Sequence, residues 1–218
     1  MENSKFTDCW YVNSCEDDCT KCVVYPQMKW QFDNSGLPKA KYQPIRLSPQ
    51  VCDKRAFIEL ADIRKDIDLF VDKGKNLYIC GANPGNGKTS WAIKMLQTYL
   101  MLASDGSIFN LRGMFVSVPD LILKLKDFNN PISNEYKDNL RNVDLLILDD
   151  IAVSGLSQYD YVQLFALIDS RILAGKSTIF TSNNATFEDL KDAVGERIAS
   201  RIWNNSEIIE LRGGDRRG

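Results

Sequence analysis

Apolar positions along the chain fall into two patterns, short unbroken runs and longer stretches spaced at helical intervals. Over residues 53–71, Ala56, Leu60, Ile63, Ile67 and Phe70 recur in steps of four, three, four and three, which predicts one helix with a single buried face. Ser48 and Pro49 supply a cap and a first-turn proline just upstream. Unbroken apolar runs at 76–80 (NLYIC), 114–118 (MFVSV), 143–148 (VDLLIL), 177–181 and 207–211 predict five strands. Helical stretches separate them: 91–102, then 119 to about 128, then a helix opened by a capping box of Ser157 and Asp160. Its buried face is Tyr161, Phe165, Ile168 and Ile172, and Gly175 ends it. A helix capped by Thr186 and the string GERIASRIW complete the series. Strand and helix in alternation predict an α/β fold, a parallel five-stranded sheet flanked by helices.

The first fifty residues break this rhythm. Residues 25–50 carry Pro26, Gly36, Pro38, Pro44 and Pro49 with little periodicity and read as a linker lying over a surface. The expected division is a small segment at 1–50 and a core at 51–218. Trp30, Phe32 and Tyr42 within the linker are expected to pack back on a neighbour, with contact to a partner as the alternative.

Composition narrows the chemistry. The chain has 218 residues, 27 basic and 29 acidic, for a net charge of -2, so no global basic field advertises nucleic acid. No apolar run approaches a membrane span, and the polar start resembles no signal peptide, so a cytoplasmic protein is expected. There is no histidine at all. That excludes Ser-His-Asp and Cys-His nucleophile pairs, a histidine base and a histidine metal ligand.

The strand at 76–80 runs into GANPGNGKTS, which fits G-x-x-x-x-G-K-[ST]. An ordinary glycine-rich turn would not need the strand before it and the helix after it. The expected polyphosphate cradle is Gly81, Ala82, Asn83, Pro84, Gly85, Asn86, Gly87, Lys88, Thr89 and Ser90. Lys88 reaches the terminal phosphates and the Thr89 hydroxyl helps hold Mg²⁺. The strand at 143–148 ends in Asp149 and Asp150, a Walker B pattern. Asp149 is expected to organise Mg²⁺, and Asp150 to orient and deprotonate the attacking water. Asn183, at the end of the fourth strand, is a neutral amide placed for a sensor 1 role toward water or γ-phosphate; alone, it would read as a turn residue.

Four of six cysteines crowd the start: Cys9, Cys15, Cys19 and Cys22, spaced C-x5-C-x3-C-x2-C. Structural zinc on four thiolates is the first expectation, with an iron–sulfur cluster or reduced, unliganded thiols as alternatives. Cys80 reads as buried packing, and Cys52 has no partner in sequence. Arg197 and Arg201 lie one turn apart on a helix face. Solvation, or pairing with acids such as Glu196 or Asp192, is the ordinary reading, and for Arg201 reaching a neighbour's γ-phosphate is the other.

Beyond the generic motifs, SVPDLILKLKD (117–127), NVDLLILDDIA (142–152), TIFTSNN (178–184) and GERIASRI (195–202) resemble the DnaC/DnaI helicase loaders of bacteria and their phages. The resemblance covers residues 53–217, about three quarters of the chain. It implies an AAA+ ATPase core with little or no C-terminal lid, using ATP and Mg²⁺. It implies a replicative DnaB-type helicase as partner, self-association through the ATP sites and engagement of single-stranded DNA. Arg201 then matches an arginine finger with Arg197 its companion, and Arg217, with Arg216 as fallback, matches sensor 2. Lys124, Lys126, Phe128, Ser157 and Tyr159 fall where such loaders hold single-stranded DNA. Asp150 stands where many AAA+ proteins have glutamate, which implies slow turnover suited to a switch. The cysteine segment is similar in placement to the zinc-bearing helicase-binding regions of some DnaI-like loaders. Alternatives are an IstB-like transposition helper acting on duplex DNA with a transposase, and a zinc-dependent adaptor that binds nucleotide and hydrolyses little.

Overall fold

The computed structural model describes Cys9 and residues 22–103, 110–127, 132–153 and 155–215. Five strands form a single sheet in which every neighbouring pair is parallel: β1 (Asn76–Cys80), β2 (Gly113–Ser117), β3 (Leu145–Asp149), β4 (Ser177–Ser182) and β5 (Ser206–Glu210). Their order is β2-β3-β4-β1-β5, so the parallel five-stranded sheet expected from the unbroken apolar runs is present. The chain leaves β1 toward β2 at the far edge, and the order reverses beside β1. The carboxyl ends of β1 and β4 therefore flank a crevice of the kind in which open α/β sheets bind ligands.

Two helical layers cover the sheet. Side chains alternate along each strand, so Leu77, Ile79, Leu145 and Ile147 enter one core while Tyr78, Cys80, Leu146 and Leu148 enter the other. The first core is closed by α1 (Val24–Asn34), α2 (Lys54–Lys65), α3 (Ile67–Asp72) and α4 (Lys88–Leu102). The second is closed by α5 (Val118–Lys126), α6 (Asn134–Asn142), α7 (Gln158–Leu173), α8 (Phe187–Val194) and α9 (Glu196–Asn205). Cys80 is fully buried among the second set, and that burial pushes its thiol up to about 11. Cys52 is exposed.

Three local expectations give way. The helix read across 53–71 is two helices, because at Asp66 the backbone leaves helical geometry (φ -110°, ψ 38°). Aspartate competes poorly for a helix interior, and the buried period nevertheless continues through Ile67 and Phe70. The supposed linker holds an eleven-residue helix, α1, whose Tyr25, Met28 and Phe32 enter the first core. Pro26 lies in its first turn, where the missing N–H costs nothing, so the proline marks a helix start rather than loose chain. Phe32 meets Tyr42 edge-on, with ring centroids 5.5 Å apart, which fastens the following residues to the same core. Helix α6 has no counterpart in the reading. Its only fully buried residue is Leu140, and Ser133 caps it by accepting the Tyr136 N–H at 3.1 Å.

Arg171 shows how a buried cation is accommodated here. Its guanidinium is fully enclosed and donates to the carbonyls of Leu140, Arg141, Val143 and Ser177 and to the Thr178 hydroxyl, at 2.6 to 3.1 Å. The end of α6 is thereby tied to the start of β4. Burial pulls the group down to about 9, against the attraction of Asp144.

Candidate nucleotide site

The loop after β1 closes on itself around Lys88. The ammonium is buried and donates to the Gly81 carbonyl (2.8 Å), the Asn83 carbonyl (3.0 Å) and Asn86 Oδ1 (3.0 Å). Gly87, at φ 106°, opens α4 from a left-handed position that favours glycine. Gly81 is required for space as well: a Cβ there would stand 2.0 Å from the Leu211 carbonyl oxygen. Burial lowers the proton affinity of Lys88, while Asp150 and Asp149 pull it back up. Three bonds to neutral oxygens are a set that an anionic oxygen can replace, and α4 points its amino end at the same place.

The two aspartates at the end of β3 part company. Asp149 is buried and Asp150 is exposed, because Asp150 takes a left-handed turn (φ 53°) that redirects its carboxylate into the cleft. Thr181 holds both: its hydroxyl donates to Asp149 Oδ1 at 2.7 Å and accepts the Asp150 N–H at 2.9 Å. Burial pushes the Asp149 carboxyl up, opposed by hydrogen bonds from Thr181 and Thr89. Asn183 follows β4, and the adjoining turn is fixed where Ser182 Oγ accepts the Asn184 N–H at 3.0 Å. Pro84 to Ser90, Asp150 and Asn183 line one cleft of about 690 Å³.

The chain after β5 leans on the loop. Asn86 Nδ2 donates to the Leu211 carbonyl (2.8 Å), and Asn83 Nδ2 to those of Arg212 and Gly213 (3.1 Å each). From below, buried Asp53 accepts the N–H groups of Arg212 (2.7 Å) and Gly213 (3.0 Å). Arg216 and Arg217, which follow, lie outside the described residues.

Arg197 and Arg201 are not brought to this cleft. They line a second pocket of about 720 Å³ with Phe165, Glu196 and Ser200. The partner of Arg201 is neither Glu196 nor Asp192 but Asp169 on α7, with Nε 2.8 Å from Oδ1. The pairing follows from α9 packing on α7, which local spacing does not reveal.

Lys126 pairs with the buried carboxylate of Asp160 at 2.9 Å. That carboxylate also accepts from Ser157, which caps α7 in the reciprocal arrangement with Asp160. Lys124 lies 5.4 Å from the centroid of the Tyr136 ring, and Tyr159 is half exposed. Phe128 lies outside the described residues, as do Cys15 and Cys19. Cys9 and Cys22 are half-buried against the first core, and Cys22 Sγ accepts the Tyr25 N–H at 3.4 Å. Among the described residues no three histidine, cysteine or carboxylate side chains are grouped to hold a metal, and no helix is long and apolar enough to cross a membrane.

Residues that the motifs do not reveal are Thr181, Asp53 and the stretch from Lys41 to Ser48 that lines the cleft. Thr181 was within reach of strand pairing. The register sets Leu148 against Phe180, so the next pair joins Asp149 and Thr181.

A phosphate loop after an inner strand, aspartates ending the next strand but one, and the sheet order above define a P-loop NTPase core of the AAA+ kind. The chain belongs to the family of IstB-like ATP binding proteins, whose profile matches residues 48–217. It is 30% identical over 135 residues to the replicative helicase loader DnaC of Buchnera aphidicola subsp. Baizongia pistaciae, a match covering 60% of this chain and 52% of that protein. The chain thus spans about half the length of such curated relatives. Its fold aligns with a crystal structure of the DnaC helicase loader at a TM-score of 0.64 and 25% identity, over 84% of this chain and 99% of the other. Against a crystal structure of DnaI the TM-score is 0.62 at 24% identity, over 83% and 94%, a likeness of fold. The chain is DnaC-like in sequence and fold.

Proposed function

We propose that this chain is an ATP-dependent loader of the replicative DnaB-type hexameric helicase, acting in the bacterial or phage-infected cytoplasm and delivering the helicase to single-stranded DNA. The observation that carries the reading is the convergence of Lys88, Asp150 and Asn183 on one cleft, in a chain whose relatives include helicase loaders.

In this reading the triphosphate replaces the carbonyls now held by Lys88 and lies along the loop from Gly81 to Ser90. The Thr89 hydroxyl beside Asp149 is an oxygen donor set that suits Mg²⁺, which supplies charge compensation for the β- and γ-phosphates. Asp150 accepts the proton of the attacking water and Asn183 orients that water. Arg201, seconded by Arg197, completes the site of a neighbouring subunit, and Arg217 or Arg216 contacts the nucleotide from the same chain. Hydrolysis is slow and acts as a release switch. Lys124, Lys126, Phe128, Ser157 and Tyr159 form the single-stranded DNA surface.

Residues 1–50 are the helicase-gripping segment, with Cys9, Cys15, Cys19 and Cys22 as thiolate ligands of structural zinc, and 51–218 the ATPase core. Because α1 closes the first core, truncation at residue 51 would strip Tyr25, Met28 and Phe32 from it. The test is therefore co-purification of the full chain, and of the Cys15→Ser/Cys19→Ser variant, with the host's hexameric helicase, with and without ATP. Association with the parent and loss with the variant is expected; no association under any condition overturns the loader reading. One rival, an IstB-like transposition helper, fits the same ATP binding family. That role would appear instead as duplex DNA binding with a transposase.

A further inference from the structure

The cleft over the phosphate loop has a wall that phosphate chemistry does not use. Once the loop, Asp150 and Asn183 are given to the triphosphate, what remains of the lining is Lys41, which ends a short 3-10 turn, and the irregular chain of Ile45, Arg46, Leu47 and Ser48. Ile45 and Leu47 are half-buried and pack against the first core, while Arg46 and Ser48 are exposed. Apolar contact beside unladdered backbone N–H and C=O groups is what a purine needs to be gripped on its face and read at its edge.

Irregular chain has no strand ladder to hold it in place, so its position must be set from elsewhere. Here, beside the Phe32–Tyr42 contact, one buried side chain does so. Gln97 is fully buried on α4 and donates from Nε2 to the carbonyls of Lys41 and Gln43, the latter at 2.9 Å. Its Oε1 accepts the Ile45 N–H at 3.5 Å. Gln97 stands nine residues beyond Lys88 on the same helix, about 13 Å along the axis. The helix that offers its amino end to phosphate therefore also fixes, through one amide, the wall opposite.

We infer that Gln97 is a positioning residue for the nucleobase: it holds residues 41–48 at a set distance from the phosphate loop, so that the nucleoside is recognised as well as its phosphates. The inference rests on the reading of the cleft as an ATP site. The test is calorimetric titration of the full chain and its Gln97→Met variant with Mg·ATP and with Mg·tripolyphosphate, which has the phosphates and no base. ATP is expected to bind the variant roughly tenfold more weakly, while tripolyphosphate binds it as it binds the parent. Unchanged ATP affinity overturns the inference, and so does a parallel loss of both ligands, since Gln97 would then only hold the fold. Hydrogen exchange on the unmodified chain gives an answer independent of any folding defect. ATP, and not tripolyphosphate, is expected to slow the amides of 41–48, and no difference between the two ligands contradicts the proposal. If the unmodified chain bound neither ligand, the ATP reading itself would fall and take this inference with it.

Discussion

The cleft over the phosphate loop and the pocket beside α9 are nearly equal in volume, about 690 and 720 Å³, yet they are built in different ways. The cleft is assembled by the fold from four separate stretches of chain. Its central groups already have partners: Lys88 bonds three oxygens, and Asp149 and Asp150 share Thr181. The α9 pocket is mostly the side chains of one helix, and among the described residues its Arg201 has one ion-pair partner, Asp169. A cation held by a single surface pair is easily transferred to another anion, because such pairs contribute little. In the proposed assembly the cleft binds within one chain, whereas the pocket acts on a neighbour.

The sharpest way to separate the two is Arg201→Ala. In the proposed assembly it should lower ATP turnover by about 10³-fold while leaving the ATP affinity of the single chain unchanged, read by steady-state hydrolysis and calorimetry. Weaker ATP binding in that variant would break the distinction. Lys88→Ala should do the opposite and weaken ATP binding by about 100-fold, through loss of the cation in the cleft. Asp53→Asn is expected to weaken ATP binding about tenfold, since the amide offers one neutral oxygen where the carboxylate sets two charged ones against the N–H groups of Arg212 and Gly213. An unchanged affinity would show that the chain after β5 does not support the loop.

The smallest effect lies away from both cavities. Asp144 bonds Arg112 and Lys176, and although burial opposes ionisation, these partners hold its carboxyl below the usual range. A depressed folded value means stability that is present above the unfolded pKa and lost as pH falls through the folded one. Asp144→Asn should therefore cost about 1 kcal/mol at neutral pH, and the gap to the parent should close as pH drops below about 4, in thermal melts that leave ATP binding untouched.

What could be read from the sequence follows the same division. The phosphate loop is legible because its geometry is local: Gly81, Gly87, Lys88 and Thr89 must keep their spacing for the turn and helix start to form. The strands are legible because burial on both faces leaves no polar position in LLIL at β3. Asp53 and Gln97 are illegible for the converse reason. Their partners lie 159 and up to 56 residues away, and an aspartate before a helix or a glutamine within one fits any surface as well. Helix α1 was hidden by Pro26, read as a breaker when it stands in a first turn. Helix α6 was hidden because it buries little, and much of what fixes its end is Arg171, on another helix.

The measurement that bears most directly on the account mixes two variants. Asp150→Asn keeps its α9 pocket but loses its own cleft, and Arg201→Ala keeps its cleft but loses the pocket. Each alone should hydrolyse ATP far more slowly than the parent. Mixed in equal amounts at a concentration where the parent assembles, they should recover roughly a quarter of the parent's turnover per subunit, because about that fraction of interfaces joins an intact cleft to an intact Arg201. Turnover in the mixture no higher than the average of the two variants would contradict the claim that the two cavities are halves of one site.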